Sequence, residues 1–141
     1  MLLGRIARSL LAVGFVSGGL EALLNLKPAM EAAKPMVERG RVMLSAESTP
    51  DVGTMVQIDA AVRLVAGLML TFGRAPRAAA AALAVSLVPT TVAGHAFWAA
   101  DDAAERRAQQ RHFLENAGLL GGLLLAASAT DGSRKPRSSQ G

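Results

Sequence analysis

Asp59 and Arg63 stand four residues apart in a run that is otherwise almost wholly apolar, "MVQIDAAVRLVAGLMLTFG" (55–73). On a helix that spacing puts both side chains on one face, close enough to pair. Other polar groups sit at the ends of comparable runs: Glu21 late in 6–26, His95 and Trp98 late in 78–99, and His112, Glu115 and Asn116 opening "HFLENAGLLGGLLLAA" (112–127). Carboxylates and imidazoles can pass a proton, neutralise a cation or ligate a metal, and an asparagine amide can orient a polar ligand. Trp98 by itself reads as an anchor at a membrane–water boundary.

Each of these groups is expensive in isolation. A charge within a membrane helix costs about 2.5–3.5 kcal/mol on insertion scales, so partners on neighbouring helices are expected. Antiparallel threading of the four runs would carry Glu21, Asp59, Arg63, His95, His112, Glu115 and Asn116 toward one membrane face as a single polar cluster. Two readings of that cluster stay open: mutual neutralisation that fixes helix register, or a pocket for a ligand. Two glutamates and two histidines also supply the donor types of a carboxylate-bridged metal centre. Bundled centres of that kind take Glu-x-x-His from two helices, whereas this chain has one His-x-x-Glu in the reverse order, so no metal ligands are assigned. The lack of cysteine removes disulfides, thiol redox chemistry and thiolate metal sites together. With no P-loop, dinucleotide fingerprint or nucleophile elbow either, no catalytic residue is assigned.

The elements that must hold these groups follow from hydropathy. The runs 6–26, 55–73, 78–99 and 112–130 each approach the ~20 residues that cross a bilayer core as helix. Apolar residues make up 51% of the 141-residue chain, more than a soluble domain usually carries. A soluble bundle would show a polar stripe along each helix, and "AAAAALAVSLV" (78–88) and "LLGGLLLAASA" (119–129) have none. The expected fold is all-α: an integral membrane antiparallel four-helix bundle in one domain, residues 1–130, followed by a disordered basic cytoplasmic tail, 131–141. Arg5 and Arg8 before the first run suit a signal peptide, but that run is long, contains Glu21 and ends without a small-residue cleavage site, so it is expected to remain as a helix.

The first helix should end at Lys27-Pro28, and residues 28–54 should form a short amphipathic cap with Pro35 near its start. Met30, Ala33, Met36 and Val37 make its apolar side, and Lys34, Glu38 and Arg41 face water. Thr49-Pro50-Asp51-Val52-Gly53 reads as the turn into the second helix, and "GRAPR" (73–77) as a tight reversal into the third. Pro89 removes one backbone donor and should kink that helix, a feature bundles tolerate where Thr90 or Thr91 serves the freed carbonyls. "ADDAAERRAQQR" (100–111) reads as a solvated link. Gly14 with Gly18, and Gly118 with Gly122, are the expected close helix contacts, and Gly14, Ser17, Gly18 and Glu21 share a face.

The net charge of +4 sits in short clusters beside the apolar runs, the pattern of headgroup contacts and topology signals, and no nucleic-acid partner is expected. Four crossings leave both termini on one side. Arg5, Arg8, Arg74, Arg77, Arg134, Lys135 and Arg137 flank that side, matched in number by Lys and Arg on the other. The arginines of "GRAPR" lie directly at two helix ends, which favours cytoplasmic termini.

"GHAFW" (94–98), followed after a polar stretch by "HFLENAGLLGGLLLAA", resembles the DoxX family of small four-helix bacterial membrane proteins. "RIARSLLAVGFVSGGLEALLN" is similar to the family's first helix, "IDAAVRLVAGLMLTFGRAPRAAA" to its second with the arginine loop, and "LVPTTVAGHAFW" to its third. The resemblance implies a multi-pass protein of the bacterial inner membrane with cytoplasmic termini. It also implies an association with redox or oxidative-stress complexes, since the family takes its name from a subunit of a quinone-reducing oxidoreductase. Glu115 departs from the pattern, because many relatives have lysine there. Two functions follow as alternatives. One is an accessory membrane subunit rather than a stand-alone enzyme, binding quinone or a lipid headgroup in an outer-half pocket while a redox partner protein transfers electrons. The other is a non-catalytic scaffold or carrier whose polar cluster is structural. The bilayer, a redox partner and a second copy of the chain are the partners in view.

Overall fold

The structure is a computed structural model, and it describes residues 2–45 and 50–129. Within them run α1 (Leu2–Leu24), α2 (Leu26–Leu44), α3 (Val52–Phe72), α4 (Pro76–Gly94), a 3₁₀ turn (Phe97–Ala99) and α5 (Ala103–Ser128). Every regular element among the described residues is helical, with no strand. Three spans, Leu2–Leu24, Val52–Phe72 and Pro76–Ala99, are long and apolar enough to cross a membrane. α5 is not among them, because its opening turns, "AAERRAQQR", are polar. The expected tail (131–141) and Thr49 of the expected turn lie outside the described residues.

Caps move several boundaries from where hydropathy puts them. The chain breaks at Asn25, and Lys27 and Pro28 fall in the first turn of α2, where a missing amide hydrogen is no loss. Pro35 lies inside α2 rather than near its start. α3 starts at Val52 because the Asp51 carboxylate accepts a hydrogen bond from the Thr54 amide at 3.2 Å. α4 stops at Gly94, so His95 and Trp98 sit in the turn that follows and not on the helix.

The largest difference from expectation concerns α5, which begins at Ala103, inside the stretch expected to be a solvated link. Asp102 accepts from the Ala104 and Glu105 amides at 2.9 and 3.0 Å, and the residues behind it are strong helix formers. His112, Glu115 and Asn116 therefore lie along the helix and not at its mouth. These backbone donors hold the Asp102 carboxyl below its ordinary value of 3.8. A depressed carboxylate contributes its stability above the unfolded value and loses it as pH falls through the folded one. Protection of the Ala104 and Glu105 amides, corrected for intrinsic exchange, should thus be full at neutral pH and fall below about pH 3.8, and Asp102→Ala should lack it at every pH. Equal protection in the variant would show the cap to be idle.

Helix packing rests on small residues. A Cβ on Gly19 would lie 2.7 Å from the Ala60 carbonyl oxygen and 2.9 Å from the Leu64 amide nitrogen, and one on Gly67 would lie 2.6 Å from Val16 Cγ2. α1 and α3 thus meet nearly backbone to backbone, as membrane helices do where bulk is absent. The glycines anticipated for this role differ: Gly14, Gly18 and Gly118 have nothing within 4 Å, while Gly122 meets Leu11. α1 turns Ala12, Phe15 and Gly19 inward, so the shared face of Gly14, Ser17, Gly18 and Glu21 points elsewhere. Because α1 is apolar nearly all round, hydropathy could not choose its buried side. The core continues through Leu70 of α3, Ala80, Leu83 and Leu87 of α4, and Leu123 of α5.

α2 buries no residue completely, yet it is tied to its neighbours. Met30 lies against Gly53 at the start of α3, Met36 against Gly94 at the end of α4, and Arg39 Nη1 donates to the Ala93 carbonyl at 3.4 Å. The half-buried side of α2 holds Met30, Ala33, Met36 and Val37, and Lys34, Glu38 and Arg41 are exposed. That division matches the amphipathic reading, but the apolar side rests on α3 and α4.

Candidate functional site

Arg63 stands near the midpoint of α3, and one turn earlier Asp59 pairs with it, Nη2 to Oδ2 at 2.7 Å. Facing them on α4 are two hydroxyls one turn apart. Arg63 donates from Nε to Ser86 Oγ at 3.3 Å and from Nη2 to Thr90 Oγ1 at 2.9 Å. Ser86 passes its own hydrogen to Asp59 Oδ1, and Thr90 donates to the Ser86 carbonyl at 3.0 Å. Pro89 lies between these hydroxyls, where α4 continues as helix. The ion pair is thus held in a ring of four side chains. Ser86 and Thr90 escaped the sequence reading as site residues, because a hydroxyl in an alanine-rich helix usually bonds its own backbone.

This ring borders a cavity of about 330 Å³. Ala29, Ala33, Met36 and Val37 of α2 cover it, Met55 and Val56 of α3 and Ala22 of α1 wall it, and Asp59, Arg63, Ser86, Pro89 and Thr90 form its polar side. Arg63 Nη1 has no hydrogen-bond acceptor among the described residues. The site therefore combines a donor and a carboxylate with apolar walls, suited to an amphipathic molecule with a carbonyl or other acceptor.

The second group lies where the α4 turn meets α5. His95 Nδ1 donates to Gln109 Oε1 at 2.9 Å, His112 Nδ1 donates to Glu115 Oε2 at 3.1 Å, and the two imidazoles are 5.3 Å apart between centroids. An amide oxygen and a carboxylate can only accept, so both Nδ1 atoms carry hydrogen. Gln109 was hidden in the stretch read as a link. Phe97, Trp98 and Phe113 make edge-to-face contacts with one another, 5.1 to 6.0 Å between centroids. Trp98 remains 51% exposed, consistent with an interfacial position.

Five of the seven polar groups thus fall into two sites, and two join neither. Asp59 and Arg63 form one, and His95, His112 and Glu115 form the other with Gln109. Asn116 is half-buried on α5 without a hydrogen bond from its side chain among the described residues, and Glu21 is exposed on α1 without a partner there. Glu21 is two residues beyond Gly19, about 200° around the helix, which turns it away from α3. No group of three potential metal ligands forms among the described residues.

The family model for DoxX matches residues 3–96. The chain belongs to the DoxX family. With its apolar helices, it is a transmembrane protein of the DoxX type. The DoxX match takes in α1 to α4 and the whole Asp59–Arg63–Ser86–Thr90 ring, and it ends just past His95, before the turn and α5. No curated protein and no solved structure matches the chain.

Proposed function

We propose that this DoxX protein is an accessory membrane subunit whose cavity beneath α2 binds the headgroup of a quinone, with electron transfer carried out by a redox partner protein. The observation that supports this is the Arg63 guanidinium: three side chains orient it, one nitrogen is left for an incoming acceptor, and it faces an apolar-walled cavity of about 330 Å³. A quinone carbonyl supplies the acceptor and the apolar walls suit its ring. In this reading α5 is a fourth crossing through its apolar second half, the bundle (1–130) is antiparallel, and both termini are cytoplasmic in a bacterial inner membrane. The Asp59–Arg63 pair and the histidines then lie toward the outer face. A second copy of the chain is a further partner of the same assembly.

A photoreactive quinone analogue tests the binding. In nanodiscs it should label the cavity wall around Met36 and Met55, be displaced by unlabelled quinone, and label Arg63→Gln on the order of tenfold less, as expected for a lost charged hydrogen bond. Labelling that no quinone displaces would sink the proposal.

A second reading, a scaffold or carrier with a structural polar ring, is favoured by one observation: no buried side-chain nitrogen or oxygen among the described residues lacks a hydrogen-bond partner. Mild detergent extraction separates the two. Quinone or a redox protein retained in stoichiometric amount supports the first, and their absence supports the scaffold.

A further inference from the structure

At the opposite end of the molecule from the quinone site, we infer a second site, for an anionic phospholipid. A cavity of about 420 Å³ opens between the first turns of α1 and the last turns of α5, under the start of α4. Leu11, Gly122, Leu125 and Ala126 give it apolar walls, and Arg8 and Arg77 stand at it. Each arginine is tethered through Nε alone, Arg8 to the Gly4 carbonyl at 3.0 Å and Arg77 to the Ala127 carbonyl at 3.2 Å. Their Nη groups have no acceptor among the described residues.

No carboxylate on the helices around this end answers those charges. α1 has no acidic residue before Glu21, α4 has none, and α5 has none after Glu115. Two guanidiniums at one cavity, each with its Nη groups left to donate, suit a phosphate, and the wall residues Leu11 and Gly122 lie further along α1 and α5 from that end, as an acyl chain would require. A free phosphate would satisfy the arginines but leave the walls empty, so the occupant is a phospholipid whose phosphate lies between Arg8 and Arg77. The site is independent of the quinone reading, with which it shares no residue.

The test uses the full chain in mixed phosphatidylglycerol and phosphatidylcholine nanodiscs, with lipid retention read by native mass spectrometry. Wild type should retain phosphatidylglycerol on the order of tenfold over phosphatidylcholine, the scale set by two basic groups. Arg8→Gln with Arg77→Gln should abolish that preference, whereas Arg5→Gln with Arg74→Gln, which removes equal charge from the same end, should keep it. Ala7→Phe, placed on an exposed wall residue with both arginines intact, should also lose retention, which guards against a misfolded double variant. Equal loss in both arginine pairs, retention unaffected by Ala7→Phe, or full displacement by inorganic phosphate would each overturn the assignment.

Discussion

Gly19→Leu is expected to destabilise the protein by about 2–3 kcal/mol, the upper range for overpacking, because its first side-chain carbon alone meets the backbone of α3. The contact is 2.7 Å to a carbonyl oxygen, and no side-chain rotamer can relieve it. α1 would have to move off α3, which would also disturb the seat of Gly67 against Val16. Gly14→Leu and Gly18→Leu add the same bulk to the same helix where nothing lies within 4 Å, and should change stability by less than about 0.5 kcal/mol. Thermal unfolding in detergent compares all three directly. Equal losses would mean that helix propensity or lipid contact, and not the α1–α3 approach, sets the cost.

Removing Arg63 should have an effect of similar size by a different route. In Arg63→Met, Asp59 keeps the Ser86 hydroxyl but loses its cation near the centre of a membrane-crossing helix. Breaking a fully buried pair costs about 3–5 kcal/mol; here, with the side chains 25% and 37% exposed, about 2–3 kcal/mol is expected. Asp59→Asn combined with Arg63→Gln removes both charges and leaves hydrogen-bonding groups for Ser86 and Thr90, so it should recover most of the loss. A double variant no more stable than Arg63→Met would show that the charge itself, not its pairing, holds α3 to α4. Applied to the quinone analogue, the same double variant separates stability from binding: a folded protein that no longer takes the label has lost the donor and not the fold.

Pairs close in sequence were the most legible part of the candidate site. Asp59 with Arg63, and His112 with Glu115, are one helical turn apart, and such spacing implies contact in any fold that keeps the helix. Ser86 and Gln109 were not legible, because each becomes a partner only through the pairing of α3 with α4 or α4 with α5. The start of α5 was missed for another reason. Polarity marked residues 100–111 as solvated, which most of them are, but solvation does not exclude helix once Asp102 caps it.

Residence in a membrane, the approximate position of the apolar helices, the amphipathic division of α2 and the family were all legible in composition and pattern. Those properties sum over many residues, so no single contact alters them. The packed helices were needed to show which face of α1 is buried, which glycines carry the close approach, and that five of the seven polar groups form two separate sites while Glu21 and Asn116 join neither. In a helix apolar on every side, burial within protein and burial in lipid look alike to hydropathy. The choice falls to shape, to the places where Gly19 and Gly67 let two backbones meet.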